Sequence, residues 1–185
     1  MQGIRTAGRK RVNKILLHVG ILILACALIF ADQITKRCFK DLYLSKGVTV
    51  VIDDFFRFTY TFNTGAAWSF LKGVSWAQSF FKVVTIVSFV VFALLYVLSY
   101  RNNYKVLSFS LCLMIAGTIG NFIDRLMYGG VIDFISFQFG SYFFPIFNFA
   151  DICLTFGVAL MIVHFLFFDK EAVFKRKKED EQASL

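Results

Sequence analysis

The apolar residues of this chain fall into long unbroken runs, not into the alternation of half-buried strands or the narrow stripe of surface helices. Four runs stand out, at 15–31, 83–100, 106–123 and 146–168. Each is at or near the 17–25 residues that a helix needs to cross a bilayer core, so the pattern predicts four transmembrane helices. The segments between them read differently. Residues 48–52 are β-branched, Asp53-Asp54 is a turn signal, and 55–62 alternates in part with period two. A second strand-like piece, 131–137, follows the turn pair Gly129-Gly130. The expected architecture is an integral membrane protein, mainly α. It has a four-helix bundle, a small extracytoplasmic β-sheet in the loop at about 37–72, and a short interfacial segment at 74–81.

Composition supports a single membrane domain. The 185 residues are 58% hydrophobic with one proline, and the mean hydropathy is +0.67, well above a soluble domain. The first run follows a basic N-terminus but is too long for a signal-peptide core and has no convincing cleavage site, so it is expected to stay as a helix. Ile23-Leu24-Ala25-Cys26 faintly resembles a lipoprotein cleavage box, but it lies in the middle of that run.

The net charge of +8 changes the picture through its placement. Arg5, Arg9, Lys10, Arg11 and Lys14 precede the first run, Arg101 and Lys105 fill the short second loop, and Lys170, Lys175, Arg176, Lys177 and Lys178 follow the last run. The opposite side carries fewer, spread over longer loops: Lys36, Arg37, Lys40, Lys46, Arg57, Lys72 and Arg125. By the positive-inside rule both termini are expected in the cytoplasm. The charge reports topology, not nucleic-acid binding. The charged tail, 169–185, carries no functional expectation. Cys26, Cys38, Cys112 and Cys153 show no CxxC spacing, which supports neither a disulfide framework nor a zinc site.

The candidate chemistry is acidic. Asp124, Asp133 and Asp151 sit in or beside the apolar runs, and Asn121-x-x-Asp124 echoes Asn148-x-x-Asp151. Carboxylates at membrane depth are costly and mark function by default. With four crossings, Asp32, Asn121, Asp124, Asp133, Asn148 and Asp151 all converge on the non-cytoplasmic face. Each Asn lies one helical turn from its Asp and can orient it, while Gly117 and Gly120 allow a neighbouring backbone to come close. Two carboxylates that share a site can split their pKa values, one drawing a proton from water and the other donating to the oxyanion. That chemistry needs no metal or cofactor, and His18 and His164 lie in spans far from the acids. Asp124 carries Arg125 beside it as a ready counter-charge, which favours a structural role. Asp133 and Asp151 have the more apolar settings. The repeated Asn-x-x-Asp spacing leaves an Asp124–Asp151 pair open.

Five ordered blocks resemble a known family. They are Asp32-Gln33-Ile34-Thr35-Lys36, residues 63–69 (Asn-Thr-Gly-Ala-Ala-Trp-Ser), residues 117–125 (Gly-Thr-Ile-Gly-Asn-Phe-Ile-Asp-Arg), Val131-Ile132-Asp133-Phe134, and Phe147-Asn148-Phe149-Ala150-Asp151. Together they resemble bacterial lipoprotein signal peptidase, signal peptidase II, across about 15–165. The resemblance implies an aspartyl endopeptidase of the bacterial inner membrane. It would cut diacylglyceryl-modified prolipoproteins before the lipidated cysteine, with membrane lipid around it, as a monomer and without a cofactor. It further implies Asp133 and Asp151 as the catalytic pair, and Asn121, Asp124, Arg125 and Asn148 in support. Asp32, Lys36, Asn63, Gly65 and Gly117 would be structural or border the substrate groove, with Phe62 and Trp68 at its rim. Trp68 stands where the family usually has Phe, and Ala116 where a Gly often stands. An ion-coupled carrier using the same carboxylates, or a scaffold whose aspartates only bridge helices, are the competing readings.

Overall fold

The computed structural model describes residues 2–65 and 74–168. Among these, four helices are long and apolar enough to cross a membrane. They are α1 (Gln2–Lys46), α2 (Ala77–Asn102), α3 (Lys105–Met127) and α4 (Phe149–Val163). A π-helical turn, His164–Phe168, continues α4 to the end of its span. Between α1 and α2 lie β1 (Thr49–Ile52) and β2 (Phe56–Asn63), and between α3 and α4 lie β3 (Val131–Phe139) and β4 (Tyr142–Phe143). The four strands form one antiparallel sheet in the order β1-β2-β3-β4.

α3 is the hub. It packs against α1, α2 and α4, whereas α2 and α4 scarcely touch each other. Glycine brings α3 and α4 together. A Cβ at Gly117 would lie 2.4 Å from the Ala150 carbonyl oxygen, and one at Gly157 would lie 2.5 Å from Met114. Ser110 Oγ donates to the Gly157 carbonyl across the same seam at 2.7 Å. On the α2 side, Ser99 and Ser108 join hydroxyl to hydroxyl at 2.8 Å. Leu107, Leu111 and Met114 of α3 fill the space between Phe92 and Leu95 of α2 and Leu154 and Met161 on α4.

Three expected boundaries move. The first helix was expected to end at 31, at the first charged residues; it runs on to Lys46. Asp32 and Lys36 do not end it because, one turn apart, they pair with each other at 2.8 Å while buried in the bundle. Beyond Asp32 no glycine or proline occurs until Gly47, whose positive φ and N–H bond to the Tyr43 carbonyl make a left-handed stop. The sheet therefore begins at Thr49, and 37–46 belongs to the helix, not to the β-rich loop. The second helix starts at Ala77 and absorbs most of the expected interfacial segment, because Ala77 and Phe81 are buried. The fourth begins at Phe149, since Asn148 forms a capping box with Asp151 and Phe147 is held by backbone bonds to Phe134 and Ile135.

Candidate active site

The extension of α1 lifts Phe39 onto the sheet, where its ring stacks at 4.0 Å on Phe58 and 4.6 Å on Phe134. The sheet is thus docked on the helix end where the polar motifs gather. β2 pairs with β3 so that Thr61 faces Asp133 and Asn63 faces Val131. Asn63 Nδ2 then donates to Asp133 Oδ2 at 3.0 Å, and Asn63 Oδ1 accepts from the Gly65 amide at 2.9 Å. Asn148 Nδ2 donates to Asp133 Oδ1 at 2.7 Å.

Asp151 approaches from α4. Its Oδ2 accepts from the Asn148 amide at 3.1 Å, and its Oδ1 accepts from Asn121 Nδ2 at 2.8 Å. Asn148 and Asn121 are themselves joined, Nδ2 to Oδ1, at 3.0 Å. Two asparagines thus link the carboxylates of a strand and a helix. Both carboxylates line one cavity of about 490 Å³, with Asn63, Gly65, Asn121 and Arg125 beside them. Its remaining wall is largely apolar, with Val84 and Phe92 of α2 and Leu154 of α4. The cavity is lined from both α2 and α4, two helices that scarcely meet.

Asp133 is 3% exposed. Burial, reinforced by the nearby charge of Asp151, pushes its carboxyl up to about 7, against the opposing hydrogen bonds of Asn63 and Asn148. Near neutrality Asp133 can therefore hold a proton.

The other aspartates lie behind this pair. Asp124 is buried and does not line the cavity. Its Oδ2 meets Lys36 Nζ at 3.0 Å and accepts from the Ile132 amide at 3.0 Å, which fixes the strand one residue before Asp133. Asp32 Oδ1 accepts from the Ala150 amide at 2.9 Å, holding the N-terminus of α4. The expected pairing of Asp124 with its neighbour Arg125 is not what forms: the cation on Asp124 is Lys36. Residues adjacent on a helix point about 100° apart, so Arg125 cannot share its face. Arg125 turns to the cavity, packs over Phe81 at 5.3 Å, and interacts electrostatically with Asp151 first, then Asp133 and Asp124. Its Nε is buried without a hydrogen-bond partner among the described residues.

The structure brings together Asn63, Gly65, Asn121, Arg125, Asp133 and Asp151 at the cavity, with Asn148 bonded to both carboxylates. Asp32, Lys36, Gly117 and Asp124 stand behind it. Gln33 was in the first motif without an assigned role. Its amide nitrogen lies 3.1 Å from Asp32 Oδ2, 3.1 Å from the Gly120 carbonyl and 3.0 Å from Asp124 Oδ1. A lone glutamine continuing an apolar run was the signal that could have found it. Trp68 lies outside the described residues. Phe62 lies over Gly130, where a Cβ would sit 2.8 Å from its ring, and not on the cavity wall. Among the described residues no group of three or more His, Cys, Asp or Glu could hold a metal ion.

A multi-pass membrane protein with buried carboxylates at one end of its bundle is what the geometry defines. Residues 24–167 match the family described as signal peptidase (SPase) II, and the chain belongs to that family. It is similar to the lipoprotein signal peptidase of Bacillus pumilus, 42% identical over 146 residues that cover 78% of this chain and 90% of that one. It is also similar to that of Staphylococcus haemolyticus, 39% identical over 145 residues, 78% of this chain and 89% of the other. A bacterial membrane enzyme structure solved by the in meso method at 1.9 Å matches with a TM-score of 0.64 and 32% identity, covering 81% of this chain and 94% of that one.

Proposed function

We propose that Asp133 and Asp151 are the catalytic pair of a membrane aspartyl endopeptidase that removes the signal peptide from diacylglyceryl-modified prolipoproteins. The observation that carries this is the meeting of two carboxylates from different elements in one cavity, one of them pushed up to about 7. Asp133 enters the reaction holding a proton, and Asp151 takes one from the water that attacks the scissile carbonyl. Asp133 donates to the developing oxyanion, and the proton gained by Asp151 goes to the leaving amine. Asn121 and Asn148 keep the two carboxylates oriented, so little reorganisation is needed at the moment of reaction.

A cavity lined by α2 and α4, which scarcely meet, suits a substrate whose acyl chains stay in lipid while its peptide crosses beneath the sheet. The cut falls before the lipidated cysteine because the lipid sets the depth of the scissile bond. In this reading the protein lies in the bacterial inner membrane with both termini cytoplasmic and the cavity toward the extracytoplasmic face, following the distribution of basic residues. Family membership speaks against the ion-coupled carrier.

The test is cleavage of paired synthetic peptides with and without the diacylglyceryl thioether. Cleavage restricted to the lipidated form is expected, and equal rates on both would refute the lipid requirement. Asp133→Asn and Asp151→Asn are each expected to lose about 10³-fold or more in kcat, and the double variant little beyond either single one. An active Asp133→Asn enzyme beside a folded but dead Asp124→Asn would move the pair to Asp124 and Asp151. Cysteine labelling at position 60 from the cytoplasmic side alone would reverse the topology.

A further inference from the structure

We propose that Lys36 is a positioning residue for the dyad, its ammonium locking Asn121 in the one amide orientation that presents a donor to Asp151. This rests on Asp133 and Asp151 being the reacting pair. Lys36 is 1% exposed and has three N–H donors. Two are used on Asp32 Oδ2 at 2.8 Å and Asp124 Oδ2 at 3.0 Å. Two carboxylates already neutralise the ammonium, yet its third donor goes to Asn121 Oδ1 at 3.0 Å.

That contact has a directional consequence. Asn121 Oδ1 also accepts from Asn148 Nδ2 at 3.0 Å, and neither an ammonium nor an amide nitrogen can accept in return. Rotating the Asn121 amide by half a turn would set its NH₂ against two donors and its oxygen against the Asp151 carboxylate. Only the observed orientation satisfies all four groups, and it leaves Asn121 Nδ2 donating to Asp151 Oδ1 at 2.8 Å. A positive charge buried on α1 is thereby read out at a carboxylate on α4 through one side chain. Lys36 also acts on Asp133 through space, opposing the rise caused by burial.

Among the described residues, the charged and titratable groups around the pair come from three helices and a strand. Asp32 and Lys36 face it from α1, Asp124 and Arg125 from α3, and Cys153 from α4, while β3 supplies Asp133 itself. β2 contributes the neutral Asn63, and α2 offers only Val84, Thr85, Ser88 and Phe92. Lys36 is the cation bonded into the asparagine bridge.

The experiment measures kcat and KM against pH for the full chain on a diacylglyceryl lipopeptide. Lys36→Met is expected to move the acid limb of the kcat profile up by about one pH unit and lower kcat at its maximum about tenfold, with KM within twofold. Asn121→Ala is expected to move the limb the same way, and Lys36→Met added to Asn121→Ala to move it little further. A uniform fall in kcat with an unmoved limb in both variants would make Lys36 scaffolding only and overturn the proposal. If Lys36→Met does not fold, Asn121→Ala decides, because it leaves both ion pairs of Lys36 in place; an unmoved limb there overturns the proposal. Full activity of Asp133→Asn or Asp151→Asn would instead overturn the dyad, whichever way the limb behaves.

Discussion

α2 and α3 are neighbouring helices of similar length, and sequence alone makes α2 the better candidate for a core. It is the more apolar of the two, yet only 6% of its most apolar stretch is buried within the protein, against 61% for α3. The polar residues of α3 lie inside the bundle beside its apolar core: Ser108, Ser110, Thr118, Asn121 and Asp124 are all buried. In lipid an outward leucine costs nothing, so burial is decided by hydrogen bonding and close packing instead of by hydrophobicity. The residues that need partners go inside, and the chemistry goes with them.

The largest test of this contrast places an acid on the wrong helix. Val87 of α2 is 57% exposed, and Val87→Asp is expected to cost about 3 kcal/mol and sharply cut membrane-inserted yield. Unchanged yield would show that α2 is not lipid-facing. Next comes the α3–α4 seam. Gly117→Ala puts a methyl 2.4 Å from the Ala150 carbonyl and is expected to lower stability by about 1–3 kcal/mol in detergent unfolding. The seam is looser than described if the variant melts with the wild type.

A third measurement separates the regions by pH. The Asp133 carboxyl is held at about 7 in the fold against an unfolded value of 3.8. Its contribution to stability is therefore complete below about pH 4, declines as pH rises, and is gone above about 7. Asp133→Asn is expected to flatten that decline in thermal unfolding, and a slope equal to wild type would count against the shift. The smallest effect belongs to the outer surface. Gly20→Ala in α1 meets nothing within 4 Å and is expected to raise helix stability by about 0.5–1 kcal/mol without changing activity.

What could be read from the sequence follows the same division. Four crossings, the strand-like piece at 131–137 and the convergence of acids on one end were legible because hydropathy and spacing are properties of neighbouring residues. The length of α1 was not, because Asp32 and Lys36 look like a span's end unless their partners on α3 and α4 are known. The partner of Asp124 was hidden for the same reason: Arg125 is next to it in the chain, while Lys36 is next to it in space. The asparagine bridge was half legible. Its helical spacing suggested that each Asn orients the Asp one turn away, but Asn121 serves Asp151, the aspartate of the other pair.

The unbroken α1 has one more implication. Forty-five residues at 1.5 Å each make a rod of about 68 Å, roughly twice the thickness of a hydrocarbon core. Its upper part carries the sheet through Phe39 and, at 5.8 Å, through Tyr43 against Tyr60. The rod is a depth gauge, with one mark at Lys36 beside the carboxylates and a second at Phe39 beneath the sheet. Adding one residue between them would turn the second mark by about 100° and raise it 1.5 Å. The distance between an acyl anchor and the bond that is cut would then be calibrated by the pitch of a single helix, and a flexible loop in the same place could not keep it.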